Sequence, residues 1–278
     1  MNSRTTVVVA TRDRRDALAQ TLPHHTAPVI LVDNGSRDGT PEFLARHFPH
    51  VEVICLDQNL GAPARNIGVQ RARTEFVAFA DDDSWWAAGA LARAEEVFDA
   101  HPRLGLIAGS VLVGTEQRLD PTSQQMSDSV LGTEADLPGP SVLGFLACGA
   151  IVRKEAFLQA GGFDSVVFFF GEEERFALDL MAAGWALCYV ADIQAHHRPA
   201  GERDGRSRQR LQQRNAVLTA LMRRPWPVVA ATALQAMRSG NAGRRGLLDA
   251  ARRAAMALRM RRSLPAAVER ARRRLDVG

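Results

Sequence analysis

Three consecutive aspartates, Asp81, Asp82 and Asp83, directly follow the apolar run Phe76 to Ala80, where a buried strand would reach its carboxyl end. In open α/β sheets ligands bind in the crevice beyond the strand ends, and clustered carboxylates repel one another unless a cation or hydrogen-bond donors neutralise them. Hard oxygen ligands suit Mg²⁺ or Mn²⁺, ions that bridge protein carboxylates to phosphate oxygens. If the backbone stays extended, Asp81 and Asp83 face the ligand together while Asp82 points away toward a structural partner. The competing reading is a solvated acidic turn, so the rest of the chain must decide.

The elements that must position this triplet alternate. Thr6 to Ala10 is a β-branched run, followed by the polar Thr11-Arg12-Asp13-Arg14-Arg15 and helical spacing at Ala17, Leu18 and Leu22. Val29 to Val32 ends in the turn Asp33 to Gly39, and Thr40-Pro41 opens a helix with an N-cap and a first-position proline. Val51 to Leu56 reads as a third strand, and Asn59-Leu60-Gly61-Ala62-Pro63 enters a helix carrying Arg65 and Asn66. A helix over 87–100 and a strand over 104–108 complete the first half. This alternation predicts an α/β fold with a largely parallel, doubly wound sheet.

Residues 114–140 lose periodicity and predict an exposed, mobile connection. Beyond it, Cys148 to Val152 predicts a strand, Glu155 to Ala160 a short helix, Gly161-Gly162-Phe163-Asp164 a turn, and Glu172 to Ala183 a helix closed by Gly184. From Arg206 the pattern is wholly helical. Leu247, Ala251, Ala254, Ala255 and Leu258 recur at helical spacing among Arg244, Arg245, Arg252, Arg253, Arg259 and Arg262. Such a basic amphipathic helix either packs on the preceding domain or lies on an anionic membrane surface.

Length and charge narrow the classes. At 278 residues, 46% hydrophobic and 24% charged, the chain can bury a full core and carry an appendage. Cys55, Cys148 and Cys188 are odd in number and far apart, which argues against a disulfide framework or zinc knuckle and for a reducing compartment. The amino terminus lacks a signal-peptide core and no apolar run is long enough to span a bilayer, so the expected location is cytoplasmic, with peripheral attachment at the inner membrane face through the basic tail. From Arg203 onward, 19 arginines against four carboxylates give a charge of +15 and leave −11 on everything before.

The segments Val7 to Arg14, Leu31-Val32-Asp33-Asn34-Gly35-Ser36, Asn59-Leu60-Gly61 through Arg65-Asn66-Ile67-Gly68, and Phe79-Ala80-Asp81-Asp82-Asp83 resemble the ordered motifs of family 2 glycosyltransferases with the GT-A fold. The resemblance continues through Gly161-Gly162-Phe163-Asp164, Gly171-Glu172-Glu173 and His196, and stops before the tail. It implies a Rossmann-like mixed sheet flanked by helices, with a basic helical extension. It also implies that Thr11, Arg12, Asp33, Asn59, Gly61, Arg65, Asn66, Asp81 and Asp82 meet the nucleotide sugar, with Asp33 reading the base. Asp83 would bind the metal, Asp81 would contact the ribose or support the ion, and His196 would close the metal site, with adjacent His197 as its rival. Gly162, Phe163 and Asp164 would stand on the acceptor side.

Inverting glycosyl transfer needs a carboxylate to take the acceptor hydroxyl proton. Glu173 is the choice, with Glu172 or Asp164 as alternatives, because this chain has Glu172-Glu173 where the family usually has Glu-Asp. The expected enzyme is a metal-dependent, inverting glycosyltransferase moving a hexosyl or deoxyhexosyl group from a UDP, dTDP or GDP sugar. Rhamnosyltransferase-like and galactofuranosyltransferase-like branches are the candidates. Its acceptor hydroxyl would belong to a glycan, a lipid-linked molecule or a small molecule, and no nucleic acid partner is expected. The expected organisation is a catalytic domain over 1–202, split into a nucleotide-sugar half at 1–110 and an acceptor half at 141–202, then a helical tail over 203–278. The rival class is a non-catalytic membrane-surface or nucleic-acid-binding protein on a degenerate sugar-nucleotide fold; a nucleotidyltransferase would need a glycine-rich phosphate loop after the first strand, which is absent.

Overall fold

The computed structural model describes residues 3–199 and 205–277, so the expected boundary between residues 202 and 203 lies outside the described residues. The first half alternates β1 (Thr5–Thr11), α1 (Arg15–Thr21), β2 (Val29–Asp33), α2 (Thr40–His47), β3 (Glu52–Cys55), α3 (Ala64–Arg71) and β4 (Phe76–Ala80). These four strands are parallel in the order β3-β2-β1-β4. β1, β2 and β4 read as continuous apolar or β-branched runs because both sheet faces are covered. Val7 and Val9 pack into one core with Leu18, Leu44 and Phe98, whereas Val8 faces a second core with Val69, Phe79 and Phe176. Gly68 lets α3 approach β1 closely, since a Cβ there would lie 2.4 Å from a methyl of Val8.

The second half makes the sheet mixed. It comprises β5 (Ser84–Trp86), α4 (Ala90–Ala100), β6 (Leu104–Val113), β7 (Arg118–Leu119), α5 (Pro121–Ser127), β8 (Ala150–Arg153), α6 (Lys154–Ala160), α7 (Glu172–Ala182) and β9 (Ala186–His197). β8 inserts antiparallel between β4 and β6, and β9 runs parallel to β6 while pairing antiparallel with β5. The segment 114–140 is not the mobile connection its composition predicts. Asp120 caps α5 by accepting from Thr122 N, Ser123 is buried and its Oγ accepts from Val111 N, and Gly139 lies against the Tyr189 carbonyl. Its polar residues satisfy backbone groups locally, which a hydrophobicity pattern does not register.

The C-terminal segment forms α8 (Gly205–Arg223), α9 (Trp226–Arg238), α10 (Gly240–Arg259) and α11 (Ala266–Val277). It packs on the second half of the preceding sheet domain. Val217, Leu218, Met222, Ala236, Ala250 and Ala257 form a core with Val166 and Val167, and Val268 of α11 joins Leu143 and Leu178. Several of its arginines are interior: Arg223 pairs with Asp179, and Arg224 with Glu269 and Asp276. The packed face of α10 is the small-residue line Gly243, Gly246, Ala250 and Ala257, whereas Ala251, Ala255 and Leu258 of the expected apolar stripe are exposed. Small residues win the inner face because α8 comes so close that a Cβ at Gly246 would lie 2.6 Å from the Arg210 carbonyl.

Candidate functional site

The carboxyl ends of β1, β2 and β4 open into a cavity of about 490 Å³ lined by Thr11, Arg12, Arg14, Asn34, Asn59, Gly61, Arg65, Asp81 and Asp82. Phe168, Phe169 and Phe170 form part of its wall, and Ser207, Arg208 and Leu211 of α8 complete it. The polar lining faces a crevice at the strand ends, the place where doubly wound sheets bind ligands.

The aspartate triplet is a turn rather than an extended run, because Ser84 N donates to the Asp81 carbonyl and Asp81 N donates to Ser84 Oγ. The alternation assumed for an extended backbone therefore fails, and Asp82 does not point away from the cavity. Its carboxylate accepts from Thr11 Oγ1 at 3.1 Å and Arg14 Nε at 3.0 Å. Burial and the neighbouring Asp83 and Asp81 carboxylates push Asp82 up to about 6 against the pull of Arg14. Asp83 is buried, pairing with Arg14 Nη2 at 3.1 Å and with His197 Nε2 at 3.2 Å. Asp81 receives Arg65 Nη2 at 2.5 Å.

Asp81, Asp83 and His197 each offer a ligand atom, and these three atoms lie within 4.8 Å of one another. Two hard carboxylate oxygens and an imidazole are a donor set that fits Mn²⁺ or Mg²⁺. His196, expected as the metal-closing histidine, is not the one brought to the carboxylates. It lies against Trp85 with ring centroids 5.2 Å apart, and Trp85 in turn stacks on His24 at 4.6 Å. Successive β9 side chains alternate faces, so only one of two adjacent histidines can reach Asp83.

Arg65 is 5% exposed and sits in the first turn of α3, charge-coupled to Asp81, Glu172 and Glu173. Its buried Nε has no hydrogen-bond partner, leaving a donor for an anionic group. Glu172, 3% exposed at the start of α7, is held well above the usual carboxylate range by burial and by Glu173, and its Oε2 is unpartnered. Burial likewise raises Glu173, which is more accessible. Both carboxylates thus stand beside the Arg65–Asp81 pair.

Other expected site residues are wholly or partly engaged with nearby backbone groups. Asp33 is 1% exposed, accepts from Ser36 N and Ser36 Oγ, and is not among the cavity-lining residues, whereas its neighbour Asn34 is. Asn59 lines the cavity and caps Gly61 N. Asn66 spends its amide on both backbone groups of Phe163, holding the Gly162-Phe163-Asp164 turn from within. Phe163 is packed against Phe79, Phe157 and Phe176, and Asp164 accepts from Val166 N and Val167 N while pairing with Arg175. These residues build the wall behind the site, because amide and carboxylate side chains in turns satisfy local backbone groups first.

Two contributors went unassigned in the sequence. Arg14 bridges Asp82 and Asp83, a role hinted at only by its place in a basic run after β1. The triple phenylalanine loop is the other. Phe168 and Phe170 adopt φ of 68° and 65°, a left-handed conformation that bulky residues avoid. The tail holds it: Asn215 Nδ2 donates to the Phe169 and Phe170 carbonyls at 2.7 and 2.5 Å, Arg214 Nη2 donates to Val167 O, and Arg208 lies over the Phe170 ring. On the other side Ala62 N donates to Phe168 O, and only glycine fits at Gly61, whose Cβ would lie 2.4 Å from that carbonyl.

Comparison with known proteins places this arrangement. The model for "Glycosyl transferase family 2" matches residues 6–160. N-acetylglucosaminyl-diphospho-decaprenol L-rhamnosyltransferase of Mycobacterium tuberculosis is 26% identical over 205 residues, 62% of this chain, and the match spans 66% of that relative's length, just under two thirds. The mannosyltransferase PcManGT from Pyrobaculum calidifontis, solved with GDP-Man and Mn²⁺, superposes with a TM-score of 0.60 at 20% identity over 99% of this chain and 80% of that one. TarS of S. aureus in complex with UDP-GlcNAc gives 0.61 at 15% identity over 97% and 91%. The mixed sheet has the expected GT-A architecture, and with the family match covering more than half of its residues, the chain belongs to glycosyl transferase family 2.

Proposed function

We propose that the protein transfers a glycosyl group, with inversion, from a nucleotide-diphosphate sugar to an acceptor hydroxyl, using Mn²⁺ or Mg²⁺. The observation that carries the reading is the convergence of Asp81, Asp83 and His197 beside a cavity walled by Thr11, Asn34 and Arg65. Asp81, Asp83 and His197 would hold the cation, which supplies charge neutralisation to the leaving diphosphate. Arg65 directs its spare Nε–H to the same phosphates. Asn34 and Asn59 border the nucleoside end, and the Phe168–Phe170 loop excludes water from it.

Glu173 takes the acceptor proton as the acceptor oxygen bonds to the anomeric carbon. The bond from that carbon to the diphosphate oxygen breaks, and its electron pair leaves with the nucleotide. A carboxylate raised by burial accepts a proton more readily near neutral pH than an ordinary one. Glu172, almost closed to solvent, shapes the field around it. A lipid-linked acceptor met at a membrane face is the favoured substrate class, in keeping with the diphospho-decaprenol named for the mycobacterial relative; no described helix is long and apolar enough to cross a bilayer.

The test is release of nucleoside diphosphate from UDP, GDP and dTDP sugars with and without Mn²⁺. Glu173→Gln should lose about 10²–10⁴ in rate yet keep donor binding. Asp83→Asn should lose the metal dependence of that binding. Turnover by Asp83→Asn equal to the parent's would refute the assignment.

A further inference from the structure

We propose that the outward face of α9 and α10 docks onto a bilayer surface containing anionic phospholipid. Among the described residues, most of the large apolar side chains left exposed lie here: Trp226 (57%), Leu234, Met237, Leu248 (61%), Met256 and Leu258. On α9 the outward stripe Trp226, Ala230, Leu234 and Met237 is apolar at helical spacing, and the helix fully buries only Ala236. A helix apolar on both its packed and its outward face calls for a second apolar medium. On α10 the inner face is taken by Gly243, Gly246, Ala250 and Ala257, which leaves the larger Leu248, Met256 and Leu258 outside.

Charge selects the occupant. Arg244, Arg245 and Arg259 are exposed on the same helix with no carboxylate partner among the described residues. The tail's described carboxylates are all neutralised, Asp249 by Arg210 and Arg252, Glu269 by Arg224 and Arg273, Asp276 by Arg224 and Arg272. No unpaired carboxylate among the described residues of these helices opposes an anionic surface. Arg261 lies 4.1 Å over the Trp226 ring, joining the end of α10 to the start of α9, and this pairing of a flat aromatic with a cation suits the headgroup layer. Apolar side chains entering the acyl boundary among arginines that meet phosphates describe an interfacial helix pair, whereas a nucleic acid would leave the apolar stripe exposed. α10 packs on α8, and α8 lines the donor cavity through Ser207, Arg208 and Leu211. Docking would therefore bring that cavity to a lipid-linked acceptor, a consequence that rests on the glycosyl-transfer reading.

Flotation of the full chain with vesicles of phosphatidylcholine, alone or with about one third phosphatidylglycerol, tests the proposal. The anionic vesicles should be bound at least about tenfold more tightly. Leu248→Ser with Leu258→Ser, and separately Arg244→Gln with Arg245→Gln and Arg259→Gln, should each weaken binding about tenfold while donor-induced thermal stabilisation stays unchanged. Three results overturn it: equal binding to both vesicle types, unchanged binding by the variants, or a concentration-dependent dimer abolished by the leucine substitutions. Capture of a random oligonucleotide in place of vesicles overturns it as well. Flotation without nucleotide release would refute glycosyl transfer and leave docking standing; the converse would refute docking alone.

Discussion

Replacing Asn215 with alanine should uncouple the strand-end cavity from the C-terminal helices. Its amide, 1% exposed, is the donor to the carbonyls of Phe169 and Phe170. Leaving two shielded carbonyls short of a donor costs about 2–3 kcal/mol after partial hydration. For a chain of this size that corresponds to a fall in melting temperature of roughly 3–6 °C. The second effect is local. Phe168 and Phe170 at φ of 68° and 65° hold about 1–2 kcal/mol of strain each, which the clamp opposes. Once it is released, the loop relaxes and the binding-competent fraction drops, weakening affinity roughly tenfold to hundredfold. Calorimetric titration with UDP and GDP sugars plus Mn²⁺, beside thermal unfolding, reads both quantities. Val268→Ala, in the remote cluster with Leu143 and Leu178, supplies the control, since it loses about 1–2 kcal/mol without touching the loop. If Asn215→Ala melts early but binds donor as tightly as the Val268→Ala control, the loop is not the roof of the site.

Two pH-dependent outcomes follow from buried titratable groups. Glu172 is raised by burial, so the folded state retains its proton over a range where the unfolded chain releases it. Stability from this group is present below about pH 4.3 and declines as pH rises through its folded value. Glu172→Gln should therefore melt higher than the parent at pH 8, with the difference closing at about pH 4, and equal pH profiles would refute the assignment. His25 has the opposite sign: burial lowers it to about 4, and neither ring nitrogen finds a partner. Its contribution, on the order of 3 kcal/mol, is intact above about 6.5 and lost as pH falls toward 4. His25→Phe should flatten the loss of melting temperature between pH 7 and 5, and a parallel decline in both proteins would show that His25 is not the group protonated.

Much of the site was readable because its signals are local. An apolar β-branched run sets a buried strand, glycine marks a backbone turn at Gly61, and three carboxylates at a strand end demand neutralisation; none of these depends on a distant partner. Where a side chain's task depends on its direction, the reading failed. His196 and His197 differ only in strand parity. β9 jumps from Val190 opposite Gly109 to Gln194 opposite Ser110, so counting alternation along the chain cannot tell which face either imidazole takes. Asn66 was expected at the nucleotide sugar and Asp164 on the acceptor side, and neither was legible as an internal brace of the turn, since their partners lie about a hundred residues away or in the turn backbone itself.

By itself the amino-acid sequence determined the alternating elements, the strand-end position of Asp81 to Asp83, the family and the split between an acidic front and a basic back. Those follow from short-range periodicity and from charges that need no partner to be counted. Tertiary structure alone decided that His197 joins the carboxylates, that Arg14 ties Asp82 to Asp83, and that the tail reaches back to brace the phenylalanine loop. It also decided which side of α10 faces inward. Close helix packing admits only the smallest side chains, and that steric choice among surfaces exists only once the helices have met.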